Sequence, residues 1–284
     1  GGCAAAPEKD DIDAVVEDSF EMPLPESHGG CEQAGTDVVF VLDTSAQLHR
    51  YDPAIVDASA FSFVGQVDCG AGITPNSMSV GRDGFAYVAF LNENDGACAG
   101  VYQVSLEDGS CQSTTAFQCG AHGFGQFGMG FVADGPQAET DSLYIGAIDS
   151  GALGRVDLAA GTTDLMGTMA NSGAEFTGNA LGELWAFVMY AEPPVIRQID
   201  KHSGATIAQY DLSLPAPQGD WYTWAFAHWG GYYHVFYYDN AIASSSHVYR
   251  LDPATGDFTH LIGETGLEIV GAGVSTCAPV EPPK

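Results

Sequence analysis

Three carboxylates, Glu175, Asp220 and Glu268, are the residues with most chemistry to offer, each lying just ahead of or inside a recurring glycine- or aromatic-rich strand. Carboxyl groups brought from separate segments to one pocket supply the acid and base of a glycoside hydrolase when they stand roughly 5 to 9.5 Å apart. They also make oxygen ligands for a metal ion. In a chain with 37 acidic residues the plainer reading is a set of solvated rim acids. The neighbouring loops carry Asn76, Gln126, Trp221 and Tyr222, amides and rings suited to hydrogen bonding and stacking, with His122 slightly further out. Trp221, Trp224 and Trp229 fall within nine residues, and Tyr232, Tyr233, Phe236, Tyr237 and Tyr238 follow. Trp224 and Phe226 alternate towards the interior and are assigned to packing, which leaves Trp221 and Tyr222 as the aromatic ligand candidates. His228 and His234, inside strands, read as core residues.

Other patterns carry less. Gly123-Phe-Gly-Gln-Phe-Gly128 matches G-x-G-x-x-G, but a glycine-rich strand follows it, not the helix whose N-terminus binds a pyrophosphate. Asn92, Glu93 and Asp95 cluster oxygen donors in one loop, yet the calcium-loop pattern needs an acid where Leu91 stands. A solvated loop is the plainer reading there, and calcium is the one cofactor considered. Arg50, Arg155 and Arg250 recur at equivalent strand positions and are expected to brace their own sheets. With eight basic residues and a net charge of −29, the chain cannot neutralise a phosphate backbone, so nucleic acid and anionic membrane are excluded as partners.

The elements that position these groups come from a repeat. Leu48-His-Arg-Tyr-Asp52, Val101-Tyr-Gln-Val-Ser105, Leu153-Gly-Arg-Val-Asp157, Ile196-Arg-Gln-Ile-Asp200 and Val248-Tyr-Arg-Leu-Asp252 are five copies, their last residues 53, 52, 43 and 52 positions apart. Turn chemistry follows the copies, as in Asp252-Pro-Ala-Thr-Gly256. An aromatic-rich strand precedes each copy (Val38 to Leu42, Phe85 to Leu91, Leu143 to Ala147, Leu184 to Tyr190, Tyr232 to Tyr238), and a fourth strand follows. Glycine-rich or small-residue strands come first: Ser77 to Val80, Gly128 to Phe131, Phe176 to Asn179 and Trp224 to Ala227, with Gly271 to Val274 left over at the C-terminus.

Four strands per unit of 40 to 55 residues predict an all-β fold, a five-bladed β-propeller of four-stranded antiparallel blades. The spare C-terminal strand is expected to complete the first blade and close the ring. Small residues at Ser79, Gly130, Gly178 and Gly273 allow the innermost strands to approach, with Phe226 at the matching place in the last blade. Propeller ligands sit at one end of the axial channel, where the loops into the inner strands converge.

Seven cysteines without a C-x-x-C point to disulfides outside the cytoplasm. With Cys3 set apart, position favours Cys31–Cys277 across the two ends of the domain and Cys98–Cys111 flanking one short strand, leaving Cys69–Cys119. Cys3, among small residues, resembles the lipidated cysteine of a bacterial lipoprotein. Residues 1–30 hold eight acids, one lysine and three prolines, and read as an unfolded tether ahead of a single propeller domain, 31–284. No apolar run reaches 18 residues, so membrane contact is expected only through the lipid anchor.

Ala174-Glu-Phe-Thr-Gly-Asn179, Ile199-Asp-Lys-His-Ser-Gly204, Trp224-Ala-Phe-Ala-His-Trp-Gly230 and Val270-Gly-Ala-Gly-Val-Ser-Thr-Cys277 resemble lipid-anchored, secreted β-propeller proteins of the myxobacterial type. The resemblance implies an exported protein, at the outer membrane, on the cell surface or in the periplasm, and brings no catalytic residue with it. The expected function is non-catalytic binding or assembly with an envelope protein or glycan. The alternatives are a secreted carbohydrate-active hydrolase using Glu175, Asp220 and Glu268, and a passive structural spacer.

Overall fold

In the computed structural model, which describes residues 31, 35, 37–136 and 138–282, the apolar strands of each repeat pair into five four-stranded antiparallel sheets. The first blade holds β1 (Val39–Asp43), β2 (Gln47–Tyr51) and β3 (Phe61–Gln66). The second holds β4 (Ile73–Val80), β5 (Phe85–Asn92), β6 (Cys98–Ser105) and β7 (Cys111–Thr114). The third is β8 (Phe127–Ala133), β9 (Asp141–Ala147), β10 (Ala152–Asp157) and β11 (Thr162–Thr168). The fourth is β12 (Ala174–Gly178), β13 (Leu184–Val188), β14 (Val195–Ile199) and β15 (Thr206–Asp211). The fifth is β16 (Tyr222–Trp229), β17 (Tyr232–Asp239), β18 (His247–Leu251) and β19 (Phe258–Ile262). The last strand, β20 (Ile269–Gly273), pairs antiparallel with β1, Phe40 opposite Gly273, and so supplies the inner strand that the first blade lacks. This is the five-bladed propeller that the repeat predicts. Around the ring each innermost strand touches the next, from β20 through β4, β8, β12 and β16 back to β20.

The second strand of every blade is buried on both faces, which is why it reads as a continuous apolar run in the sequence. The core is divided among the blade interfaces: Val39, Val41 and Tyr51 meet Ala225 and Phe236 between the first and last blades, and four comparable clusters fill the other interfaces. Phe226 belongs to one of these. It packs on Phe187 and Tyr233 between the fourth and fifth blades.

The innermost strands are crowded. A Cβ at Gly130 would stand 2.9 Å from the Cβ of Phe176 in the next blade, and one at Gly273 would stand 2.9 Å from the Cα of Ser79. The free edges of these strands carry N–H groups that water cannot reach, and neighbouring hydroxyls satisfy them. The Met129 N–H donates to Ser77 Oγ (3.1 Å), Phe131 N–H to Ser79 Oγ (2.9 Å) and His228 N–H to Thr177 Oγ1 (3.0 Å).

The repeat's turns form as their residues dictate. Asp157, Asp200 and Asp252 each accept backbone N–H groups at the turn, and Gly161, Gly204 and Gly256 close it at positive φ. The three recurring arginines brace their own blades: Arg50 lies over Phe40, Arg250 over Tyr232, and Arg155 pairs with Asp164 at 3.0 Å.

Cys31–Cys277 is present, but the other two bridges are Cys69–Cys111 and Cys98–Cys119, not the expected Cys98–Cys111 and Cys69–Cys119. The reason is strand direction. β6 and β7 are antiparallel with Val104 opposite Cys111, so Cys98 lies at the other end of the blade from Cys111. Each reaches the nearest connection instead. Three disulfides point to an oxidising, exported compartment. No helix among the described residues is long and apolar enough to cross a membrane. Cys3 and the acidic segment 1–30 lie outside the described residues.

Candidate functional site

Where the chain enters its five inner strands, a cavity of about 370 Å³ opens on the axis. All five blades line it: Thr74, Pro75, Asn76 and Leu91 from the second, Gln126 and Ile148 from the third, Glu175 and Tyr190 from the fourth, Asp220 to Trp224 from the fifth, and Val270 from the first. Six of the seven residues read from the sequence as ligand candidates are therefore here: Asn76, Gln126, Glu175, Asp220, Trp221 and Tyr222. Glu268 is not among the lining residues. Its Oε2 accepts from Trp221 Nε1 and from Thr44 Oγ1, both at 3.4 Å, so it stands behind the tryptophan. The three carboxyls thus do not share one wall, and no group of three His, Cys, Asp or Glu among the described residues is arranged to hold a metal ion. His122 sits in a short 3-10 turn, Ala121–Gly123, also outside the lining.

Glu175 is 4% exposed, and Ser77 Oγ donates to its Oε2 at 2.7 Å from two blades away. Burial pushes its carboxyl well above the ordinary glutamate range, against the opposing pull of the Ser77 hydroxyl and the Met129 N–H. Asn76 Nδ2 donates to Phe127 O (3.1 Å) and Gln126 Nε2 to Gly96 O (2.8 Å), contacts that span blades and fix both amides. In the 92–96 loop, Asp95 Oδ1 accepts from the Ala97 N–H and Asn92 Nδ2 donates to Ala97 O, so both side chains serve the turn itself.

The aromatic wall differs from the expectation in two residues. Trp224, assigned from the sequence to packing, lines the cavity; its ring stacks near Tyr222 (5.9 Å, 17°) and meets Tyr190 edge-on (5.4 Å, 70°). Its Nε1 is buried without a hydrogen-bond partner. Tyr190 was hidden at the end of an apolar strand. It is 42% exposed just past β13, its ring lying against Gly173, where a Cβ would collide with it, and its hydroxyl is 3.5 Å from that of Tyr222.

The loop bearing Asp220 and Trp221 is held by a residue with no sequence signal, Asp239. It is fully buried, and its carboxylate accepts the N–H groups of Gln218 (2.6 Å), Gly219 (2.9 Å) and Ala241 (2.9 Å). Burial works to raise its pKa, but these N–H groups prevail and hold it below the ordinary aspartate range. Asn240 N donates to Trp221 O (3.0 Å) and completes the anchor.

No protein-family model matches the chain, and no curated protein does. Among solved structures it is similar to the calcium-binding protein regucalcin from Agrobacterium tumefaciens, at 16% identity over 83% of this chain and 74% of that one, TM-score 0.45. It is similar also to a protein of unknown function from Bacteroides caccae (10%, 82% and 84%, 0.46) and to the glutaminyl cyclase of Myxococcus xanthus (15%, 71% and 71%, 0.40). Likenesses of this size bring no activity to this chain.

The far end of the channel is built differently. After β20 the chain crosses it: Thr276 Oγ1 accepts from Arg82 Nε of the second blade (2.6 Å) and donates to Asp141 of the third (3.2 Å), and Pro279 O accepts from Gly230 N of the fifth (2.8 Å). His228 and His234 are buried, as expected of core residues, and burial lowers them to about 4 and about 3.

Proposed function

We propose that the chain is a non-catalytic, surface-tethered binding propeller of the cell envelope. Its ligand, part of an envelope glycan or protein, enters the cavity at the channel mouth. A lipid on Cys3 and the acidic segment 1–30 form the tether in this reading, and the disulfides suit the exported setting. One observation carries it: every blade contributes to a single cavity that joins exposed aromatic surface to polar groups, the usual composition of a ligand site.

A glycan array and pull-downs from envelope extract, run with the wild type and with Trp221→Ala, test the proposal. Trp221 is 52% exposed, so its loss leaves the core intact. Capture of an envelope component that disappears with Trp221→Ala supports the reading. Hydrolysis of a captured glycan, abolished by Glu175→Gln while capture persists, replaces it with the hydrolase. Capture of nothing by either protein in both assays leaves the passive spacer.

A further inference from the structure

The polar lining of the mouth is one-sided in charge. None of its residues is Lys, Arg or His. Asn76 and Gln126 commit their nitrogens to backbone carbonyls, which can only accept, so the amide orientations are fixed and their oxygens are the complementary ends. The Asp220 carboxylate lies on the rim, and Glu268 stands behind Trp221. Thr223 spends its hydroxyl proton on Ile269 O (2.7 Å). The donors left over are the Tyr190 and Tyr222 hydroxyls, the second amide protons and the buried Trp224 Nε1, and no cationic side chain joins them.

The apolar lining is shaped as a corner. The planes of Tyr190 and Trp224 meet at 70°, Tyr222 stacks nearly parallel to Trp224, and Trp221 stands on the rim. Aromatic faces carry the negative part of the ring quadrupole, so a corner of rings beside acceptor oxygens attracts positive charge from several directions. A net charge of −29 adds a long-range field of the same sign.

We propose that the group entering the mouth is a cation, an alkylammonium of the quaternary or protonated-amine kind, seated in the corner of Tyr190, Tyr222 and Trp224 with Asp220 on its open side. This deepens the binding reading and rests on it.

The probe is choline, titrated against the intact protein by tryptophan fluorescence and calorimetry, with 3,3-dimethylbutan-1-ol as its uncharged isostere. Choline is expected to bind about tenfold more tightly than the isostere, the worth of a partly desolvated cation–π contact. The preference should shrink as salt is raised. Tyr190→Phe should keep the preference and Tyr190→Leu, which retains apolar area without the ring, should lose it. Equal binding of the two probes overturns the proposal, as does choline binding that Tyr190→Leu leaves unchanged. If choline fails while an envelope glycan binds in a Trp221-dependent way, the cation is wrong and the binding function stands. If neither binds and no envelope protein is captured, both fall.

Discussion

The same five inner strands build both ends of the axial channel, and the two ends have opposite character. At the mouth the strands begin, their loops turn outward, and aromatic rings and amide oxygens surround about 370 Å³ of open space. At the far end the C-terminal segment crosses the axis and fills it with Thr276, the Arg82–Asp141 pair and the Cys31–Cys277 bridge. Ring closure explains the difference. A propeller sealed by its last strand must bring that strand's continuation out at one end, and here the continuation stays bound there, while the opposite end keeps a cavity to which all five blades contribute.

Removing the bridge should be the strongest blow to the sealed end. Cys31 and Cys277 are 246 positions apart, and a loop of that length costs the reduced chain about 5 kcal/mol of closure entropy. Replacing both with Ser is expected to lower stability by about 4 to 5 kcal/mol in chemical denaturation, while choline affinity at the mouth, measured below the new transition, stays unchanged. Coupled loss of affinity would mean that the two ends are not independent.

The buried pair gives a smaller effect with a sign that can be checked. Burial raises Asp141 to about 6, against the opposing pull of the Arg82 cation. The folded state therefore holds a proton between pH 3.8 and about 6 that the unfolded state has lost, and stability falls as pH rises through that window, by about 3 kcal/mol in all. His228 and His234 act oppositely, because the unfolded chain takes up protons below 6.5 that the folded core refuses down to about 4 and about 3. Asp141→Asn removes the first slope and keeps the second. Its acid loss between pH 6.5 and 4 should be steeper than the wild type's in denaturant melts.

At the mouth, Asp239→Asn tests whether the ligand loop is preorganised. The amide presents an NH₂ where the carboxylate accepts three backbone N–H groups, and about 2 kcal/mol of stability should go with it. Choline affinity should fall about tenfold as the Trp221 loop loosens, whereas the disulfide variant at the other end leaves it alone.

The contrast between the ends also marks what could be read in advance. Blade number and ring closure were legible because each blade repeats a buried run and a polar-tipped strand, three of them followed by an Asp-to-Gly turn, and because Gly271 to Val274 had no partner in its own unit. The mouth was legible as a place, since loops into inner strands must converge there, and Asn76, Gln126, Glu175, Asp220, Trp221 and Tyr222 followed from that. Tyr190 and Trp224 did not, because a strand-end residue facing the axis has the same sequence appearance as one facing the next blade. The pairing of Cys69 with Cys111 depends on which end of a blade each strand begins, which spacing along the chain does not encode. Asp239 reads as one more acid until the loop folds over it.

Glu175 gives the smallest effect and separates two chemistries within the mouth. Ser77 and Met129 set a hydroxyl and an N–H against its carboxyl, and burial raises its pKa well above the ordinary glutamate range, towards the uncharged form. Glu175→Gln is close to isosteric and isoelectric with the protonated acid, so choline affinity at the acid end of the pH range should change by less than about threefold, under 1 kcal/mol. Raising the pH ionises the wild-type acid beside the bound cation. Affinity should therefore tighten with pH in the wild type and stay flat in Glu175→Gln, with proton release on binding detectable by calorimetry in buffers of different ionisation enthalpy. A glutamine variant that loses binding at the acid end of the range would make Glu175 a charged contact, and its burial behind Ser77 would no longer be what sets its state.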